Sequence, residues 1–118
     1  MKNIIVIAAL MIGTLAYAQE IKPKFEKMDD GLLKATYFHD NGEIAQEGTF
    51  LDKQRHGEWI SYDQDGKKTA QAQYTLNQKT GKWFFWHNDL LTEVDYNGDQ
   101  IVSVNKWVDQ DAVASNRP

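Results

Sequence analysis

Gly57-Glu58-Trp59-Ile60-Ser61-Tyr62 and Gly81-Lys82-Trp83-Phe84-Phe85-Trp86 stand 24 residues apart and share one order: glycine, a spacer, tryptophan, two residues, an aromatic. The interval extends outward from this pair. Phe38, Tyr62 and Trp86 keep it, as do Gly42 and Gly66, and Phe50 and Tyr74, with Tyr96 following 22 residues on. Self-similarity at a period of this length is the mark of a repeat architecture, in which each short unit buries its apolar surface against its neighbours. The first unit is worn, with Leu33 and Ala35 where glycine and tryptophan would fall. The third carries Leu90 at the turn-glycine column and is two residues shorter.

Each unit reads as a β-hairpin. The runs 57–63, 68–75, 82–87 and 90–96 are short, rich in aromatic and β-branched residues, and bounded by turn residues. Asn41-Gly42, Asp65-Gly66 and Asn97-Gly98 offer the glycines (Gly42, Gly66, Gly98) that tight turns need for a positive φ. A last run covers Ile101 to Trp107. Between units the chain reads as polar loop, Asp52 to His56 after the first, with Gln78 at a loop position after the second. No stretch beyond the N-terminus carries helical periodicity. The expected organisation is a leader over 19–32, units of about 33–56, 57–80 and 81–107, and a flexible polar tail over 108–118.

Gly57-x-Trp59-x-x-Tyr62-x-x-x-Gly66 and Gly81-x-Trp83-x-x-Trp86 resemble the bacterial variant of the MORN repeat (membrane occupation and recognition nexus), over roughly residues 33–107. The resemblance implies an all-β fold in which antiparallel hairpins stack side by side into a single-layer curved sheet. Its members serve as scaffolds or partner-binding modules, and similar repeats occur in a group described as YwqK-type antitoxins. These are three uses without a shared chemistry.

The N-terminus reads as an export signal. Lys2 is followed by an apolar run from Ile4 to Leu15, and Ala16-Tyr17-Ala18 has the small-x-small pattern of a signal-peptidase site. The run is shorter than the ~20 residues that span a bilayer. Residues 1–18 are therefore expected to be removed, with the exported form starting at Gln19 in the periplasm or outside the cell and retaining no integral membrane span. The 118-residue chain has 13 basic and 17 acidic side chains and a formal charge of −4. That balance argues against nucleic acid, whose binding rewards a basic patch. Absence of cysteine excludes a disulfide framework, thiol chemistry and Cys-ligated zinc.

Candidate chemistry is sparse. His39, Asp63 and His87 occupy one repeat column, but residues two strands apart are separated by about 9.5 Å, too far to share a metal. They read as a solvated surface column. The acidic pairs at Asp29-Asp30, Asp63-x-Asp65 and Asp109-x-Asp111 read as solubilising. The motifs of nucleophilic hydrolases, zinc peptidases and nucleotide binders are missing. The reading is non-enzymatic, with no catalytic, cofactor or metal site. Information concentrates in the rings of Trp59, Tyr62, Tyr74, Trp83, Trp86, Tyr96 and Trp107, which divide between core and an interaction strip. Trp59 and Tyr62, like Trp83 and Trp86, are three apart on a strand and point to opposite faces. One layer does not bury both of its faces, so part of this set is expected to meet a partner. The function expected is an exported interaction or scaffold module binding a protein or an envelope component, with self-association left open. The alternatives are an antitoxin-like neutraliser of a toxin and a small envelope enzyme of unknown type.

Overall fold

In the computed structural model, residues 21–108 are described. The expected export segment 1–18, the first two residues of the expected leader and the tail beyond Val108 lie outside them. The described residues form ten strands: β1 (Lys24–Lys27), β2 (Leu33–Phe38), β3 (Ile44–Leu51), β4 (Gln54–Arg55), β5 (Gly57–Tyr62), β6 (Lys68–Thr75), β7 (Gln78–Lys79), β8 (Gly81–His87), β9 (Leu90–Asn97) and β10 (Gln100–Trp107). All belong to one antiparallel sheet of order β1-β2-β3-β5-β6-β8-β9-β10, with β4 on β3 and β7 on β6. This is the all-β stack of consecutive hairpins that the 24-residue period demands. Part of the expected leader is in fact a strand, since β1 pairs with β2 from Lys24↔Thr36 to Lys27↔Leu33.

Two kinds of turn alternate. The links 39–43 and 63–67 are closed by bonds from the His39 N–H to the Glu43 carbonyl and from the Asp63 N–H to the Lys67 carbonyl, both 2.8 Å. Only their glycines have left-handed backbone (Gly42 φ 88°, Gly66 φ 86°), and the Asp63 carboxylate caps the Asp65 and Lys67 N–H groups. Turns with two successive positive φ values, the mark of a two-residue hairpin, lie elsewhere. They are Asp52-Lys53, Leu76-Asn77 and Gly98-Asp99.

The expected polar loops are therefore hairpin arms. Gln54–Arg55 pairs back on β3 and Gln78–Lys79 on β6, so Gln78 is a strand residue opposite Thr75. The last turn falls on Gly98-Asp99, one residue later than expected. In the third unit Asn88 (φ 53°) starts the turn in place of the missing glycine. Its link is two residues where the others have five, and β8 is one residue longer than β5, which together leave the unit two residues shorter.

The core lies on one face of the sheet. Ala35, Trp59, Ala72, Trp83 and Val94 are buried there, with Tyr37, Phe50, Tyr74, Phe85 and Tyr96 packed against them. With no second layer among the described residues, the large rings shield one another. Phe50 meets Trp59 edge-on at 5.0 Å, Tyr74 meets Trp83 at 5.1 Å, and Trp83 meets Tyr96 at 5.2 Å. Edge-to-face geometry sets the positive ring edge against the negative ring face, so these pairs contribute more than their buried area alone.

Candidate interaction face

The joints between hairpins place the tryptophans. The register between β3 and the strands that follow it breaks between Phe50↔Arg55 and Glu47↔Ile60. Four residues, His56 to Trp59, face only Gly48 and Thr49 across that gap. The Trp59 ring folds back over Gly48, where a Cβ would collide with the indole. Its N–H donates to the Thr49 carbonyl at 2.9 Å, and the His56 N–H reaches the same oxygen at 3.0 Å. An indole thus supplies a donor where the ladder is interrupted. The next joint repeats the device, with the Trp83 N–H and the Thr80 N–H both on the Gln73 carbonyl at 3.0 Å.

A second repeated device clamps the same rings. The Arg55 guanidinium lies 5.5 Å from the centroids of both Trp59 and Tyr74, and the Lys79 ammonium lies 5.2 Å from those of Trp83 and Tyr96. A cation over an aromatic face is held by the ring quadrupole. The next hairpin tip latches each arm. Asn77 accepts the Arg55 N–H at 2.7 Å through its side chain and donates its own N–H to the Arg55 carbonyl at 2.8 Å. Asp99 does the same to Lys79, at 2.8 and 2.9 Å. Trp59, Trp83, Tyr74 and Tyr96 are thereby structural members of the array.

The opposite face carries the remaining rings. Cross-strand pairing runs Thr36, Glu47, Ile60, Gln71, Phe84, Glu93, Asn105 in one row across the sheet. Phe38, Tyr62 and Trp86 share this face at its 39–43 and 63–67 turn end, where Phe84 stacks on Trp86 at 6.1 Å. The Tyr62 hydroxyl donates to Glu47 at 3.0 Å, Gln71 donates to Glu58 at 3.1 Å, and Lys82 pairs with Glu93 at 3.3 Å. Burial, then the bond to the Glu47 carboxylate and its charge, push the Tyr62 phenol up to about 12. A shallow recess of about 220 Å³ opens beside this row, lined by Met28, Lys34, Glu47, Thr49, Glu58 and Ile60. Trp107 lies beyond, 40% exposed on β10.

The structure separates the seven candidate aromatics into two groups. Trp59, Tyr74, Trp83 and Tyr96 meet on the core face, whereas Tyr62, Trp86 and Trp107 fall on the other. His39, Asp63 and His87 stay a column of turn-end residues. His39 Nε2 is 2.9 Å from the Tyr62 carbonyl, and Asp63 serves its own turn. No group of three or more metal-ligating side chains is present among the described residues. Sequence reasoning passed over Gly48, Arg55, Asn77, Lys79 and Asp99. The 24-residue spacing of Arg55 and Lys79, both cations in the arm before the glycine, was the available signal.

These features define a hairpin-repeat protein of one sheet layer, without a helix among the described residues. Residues 33–52 and 55–75 each match the family model of the MORN repeat variant, so two adjacent repeats of that kind are present. The second set of indole bond, cation clamp and latch carries the same geometry on from Lys79 through Trp83 and Tyr96 to Asp99. No curated protein and no solved structure matches this chain. MORN-type repeats are associated with protein or membrane binding and are generally non-enzymatic. No described helix is long and apolar enough to cross a membrane.

Proposed function

We propose that the protein is an exported, non-enzymatic interaction or scaffold module of the cell envelope, in the periplasm or outside the cell. In this reading a protein or envelope component is held on the face that carries Phe38, Tyr62, Phe84 and Trp86. The observation that supports it is the division of the rings. The tryptophans and tyrosines of the core face are committed to each other and to the arms. The opposite face keeps half-buried aromatics beside ordered carboxylates, with no covering layer among the described residues. Aromatic anchors rimmed by polar groups are the composition that interaction surfaces favour. The export signal at 1–18 directs the module to the envelope.

Chemical crosslinking of the protein in envelope extracts tests the reading. The native chain captures a defined partner, Trp86→Ala loses it while keeping its thermal transition, and mass spectrometry finds a chain starting at Gln19. Equal capture by Trp86→Ala removes the face from consideration. An intact Met1–Ala18 segment in a membrane fraction replaces export by anchoring.

A further inference from the structure

The two ends of the sheet are finished differently. At the N-terminal edge, β1 is four residues long, follows Pro23, and presents Lys24, Glu26 and Lys27 around the one apolar side chain Phe25, with Lys24 and Glu26 paired at 2.7 Å. Short length, proline and charge are the usual ways in which a sheet edge is kept from pairing with another chain. At the other edge β10 runs eight residues without proline and carries Lys106 as its one charge. It leaves Ile101 60%, Val102 65%, Val104 48% and Trp107 40% exposed.

Within the repeat, β10 occupies the place of an arm and the strand that follows it. It enters from the Gly98-Asp99 latch as β7 enters from Leu76-Asn77, and Ile101 and Asn105 stand 22 residues after Lys79 and Trp83. In the preceding unit that strand, β8, is flanked by β6 on one side and by its hairpin partner β9 on the other. The strand β10 has the first neighbour, β9, and among the described residues lacks the second. It differs from its equivalents in one further way. Asn105 stands at the tryptophan position, so no indole folds back over Val94 as Trp59 does over Gly48, and β10 pairs with β9 along nearly its whole length. The register shift between Ile101 and Ser103 is its sole irregularity. Among the described residues, a nearly uncharged half-hairpin is the last element of the sheet.

We infer that β10 is the interface for a second copy of this chain, paired antiparallel with its own equivalent so that two sheets join edge to edge. A two-fold axis normal to the sheet at Val104 suits the residues present. Val104 meets Val104 on the core face, Ser103 meets Asn105 on the opposite face, and each Lys106 lies across from Val102. The two like charges are therefore not set against each other, and over 103–105 the residues directly opposite keep the same face, as antiparallel pairing requires, the matched stretch ending at the register shift between Ile101 and Ser103. The join makes the core faces of the two copies continuous and gives each β10 the second neighbour that β8 has. A contact made by one strand from each copy belongs with small interfaces, so it forms and dissociates with concentration.

Because the chain has no cysteine, single cysteines report the contact directly. Opposed antiparallel residues have Cα separations of about 4.5–5.5 Å, within the range a disulfide accepts. Under mild oxidation Val104→Cys should give a covalent dimer, whereas Phe25→Cys, on the protected edge, should not. Sedimentation velocity of the native protein should show a concentration-dependent doubling of mass, abolished by Val104→Lys and unchanged by Phe25→Lys. Val102→Lys is a second, more exposed disruption should Val104→Lys alter the thermal transition. A native monomer at every concentration overturns the inference, as does equal crosslinking at positions 25 and 104. Dimerisation that appears only after residues 109–118 are removed overturns it too, because the edge would then belong to the chain's own tail.

Discussion

Gly48 is the residue on which the first joint turns, and its role is steric rather than conformational. A methyl group there would enter the Trp59 ring, and Trp59 is only 2% exposed. Gly48→Ala is therefore expected to cost about 1–3 kcal/mol, the usual range for overpacking, measured by denaturant unfolding with Trp fluorescence. The equivalent position under Trp83 is Ala72, which already carries a Cβ, so Ala72→Gly should cost less than Gly48→Ala. Tyr62 makes a prediction in pH. Its folded-state phenol is held near 12 against an ordinary 10.0, mainly by burial. Both states keep the proton below pH 10, so this contribution is constant there. Between pH 10 and about 12 the unfolded chain releases the proton first, and stability falls. Tyr62→Phe should flatten that fall, and absorbance titration should show a phenol titrating near pH 12 in the native protein that is missing from Tyr62→Phe.

At the level of elements, the hairpins depend on two separate kinds of turn chemistry. Gly66 has a φ of 86° with open space around a would-be Cβ, so Gly66→Val should cost on the order of 1–3 kcal/mol through backbone strain alone. Asn77 has a φ of 70° and also latches Arg55 through its side chain. Asn77→Val therefore loses an interunit hydrogen bond as well as backbone ease, and is expected to be the more damaging of the two. Asn77→Gly separates the effects, because it restores the turn without the side-chain bond. Thermal melts of the three variants should rank Asn77→Gly as mildest and Asn77→Val as most severe. An equal response to both Asn77 substitutions would assign the whole effect to the side-chain bond.

For the whole molecule the question is how one sheet layer holds together. Its core rings shield each other along the array, so removing a central one breaks the packing of several neighbours at once. Trp83→Ala deletes contacts to Tyr74, Phe85 and Tyr96 and frees the Gln73 carbonyl from the indole. It should cost about 3–5 kcal/mol, a large part of the roughly 5–15 kcal/mol that stabilises a typical domain. Trp86→Phe should be nearly neutral. The ring stack with Phe84 is retained, and the Trp86 Nε1–H is shielded without a hydrogen-bond acceptor among the described residues, so its removal relieves a desolvated donor. Paired calorimetric melts check the contrast. Equal loss in both would mean that each face is covered.

The repeat period, the hairpin strands and the division of rings between faces were legible in the sequence, because strand parity and glycine spacing are local properties. Strands 57–62, 68–75, 81–87, 90–97 and 100–107 fall within a residue or so of the expected runs. The assignment of Trp83 and Trp86 to opposite sides follows from counting alone. The arms at 54–55 and 78–79 were not legible. Leu76 and Lys53 are ordinary residues that take positive φ because the tertiary pairing on either side holds them there. Nor does the chain announce that Lys24–Lys27 joins the sheet, since its charge pattern suits an edge as well as a leader, and only the partner strand β2 selects the edge. The interrupted ladder, the indole bond that fills it and the cation between two rings each join residues from different strands or units. Sequence spacing marks the participants of such contacts, but only the folded sheet sets the distance and direction that turn them into bonds.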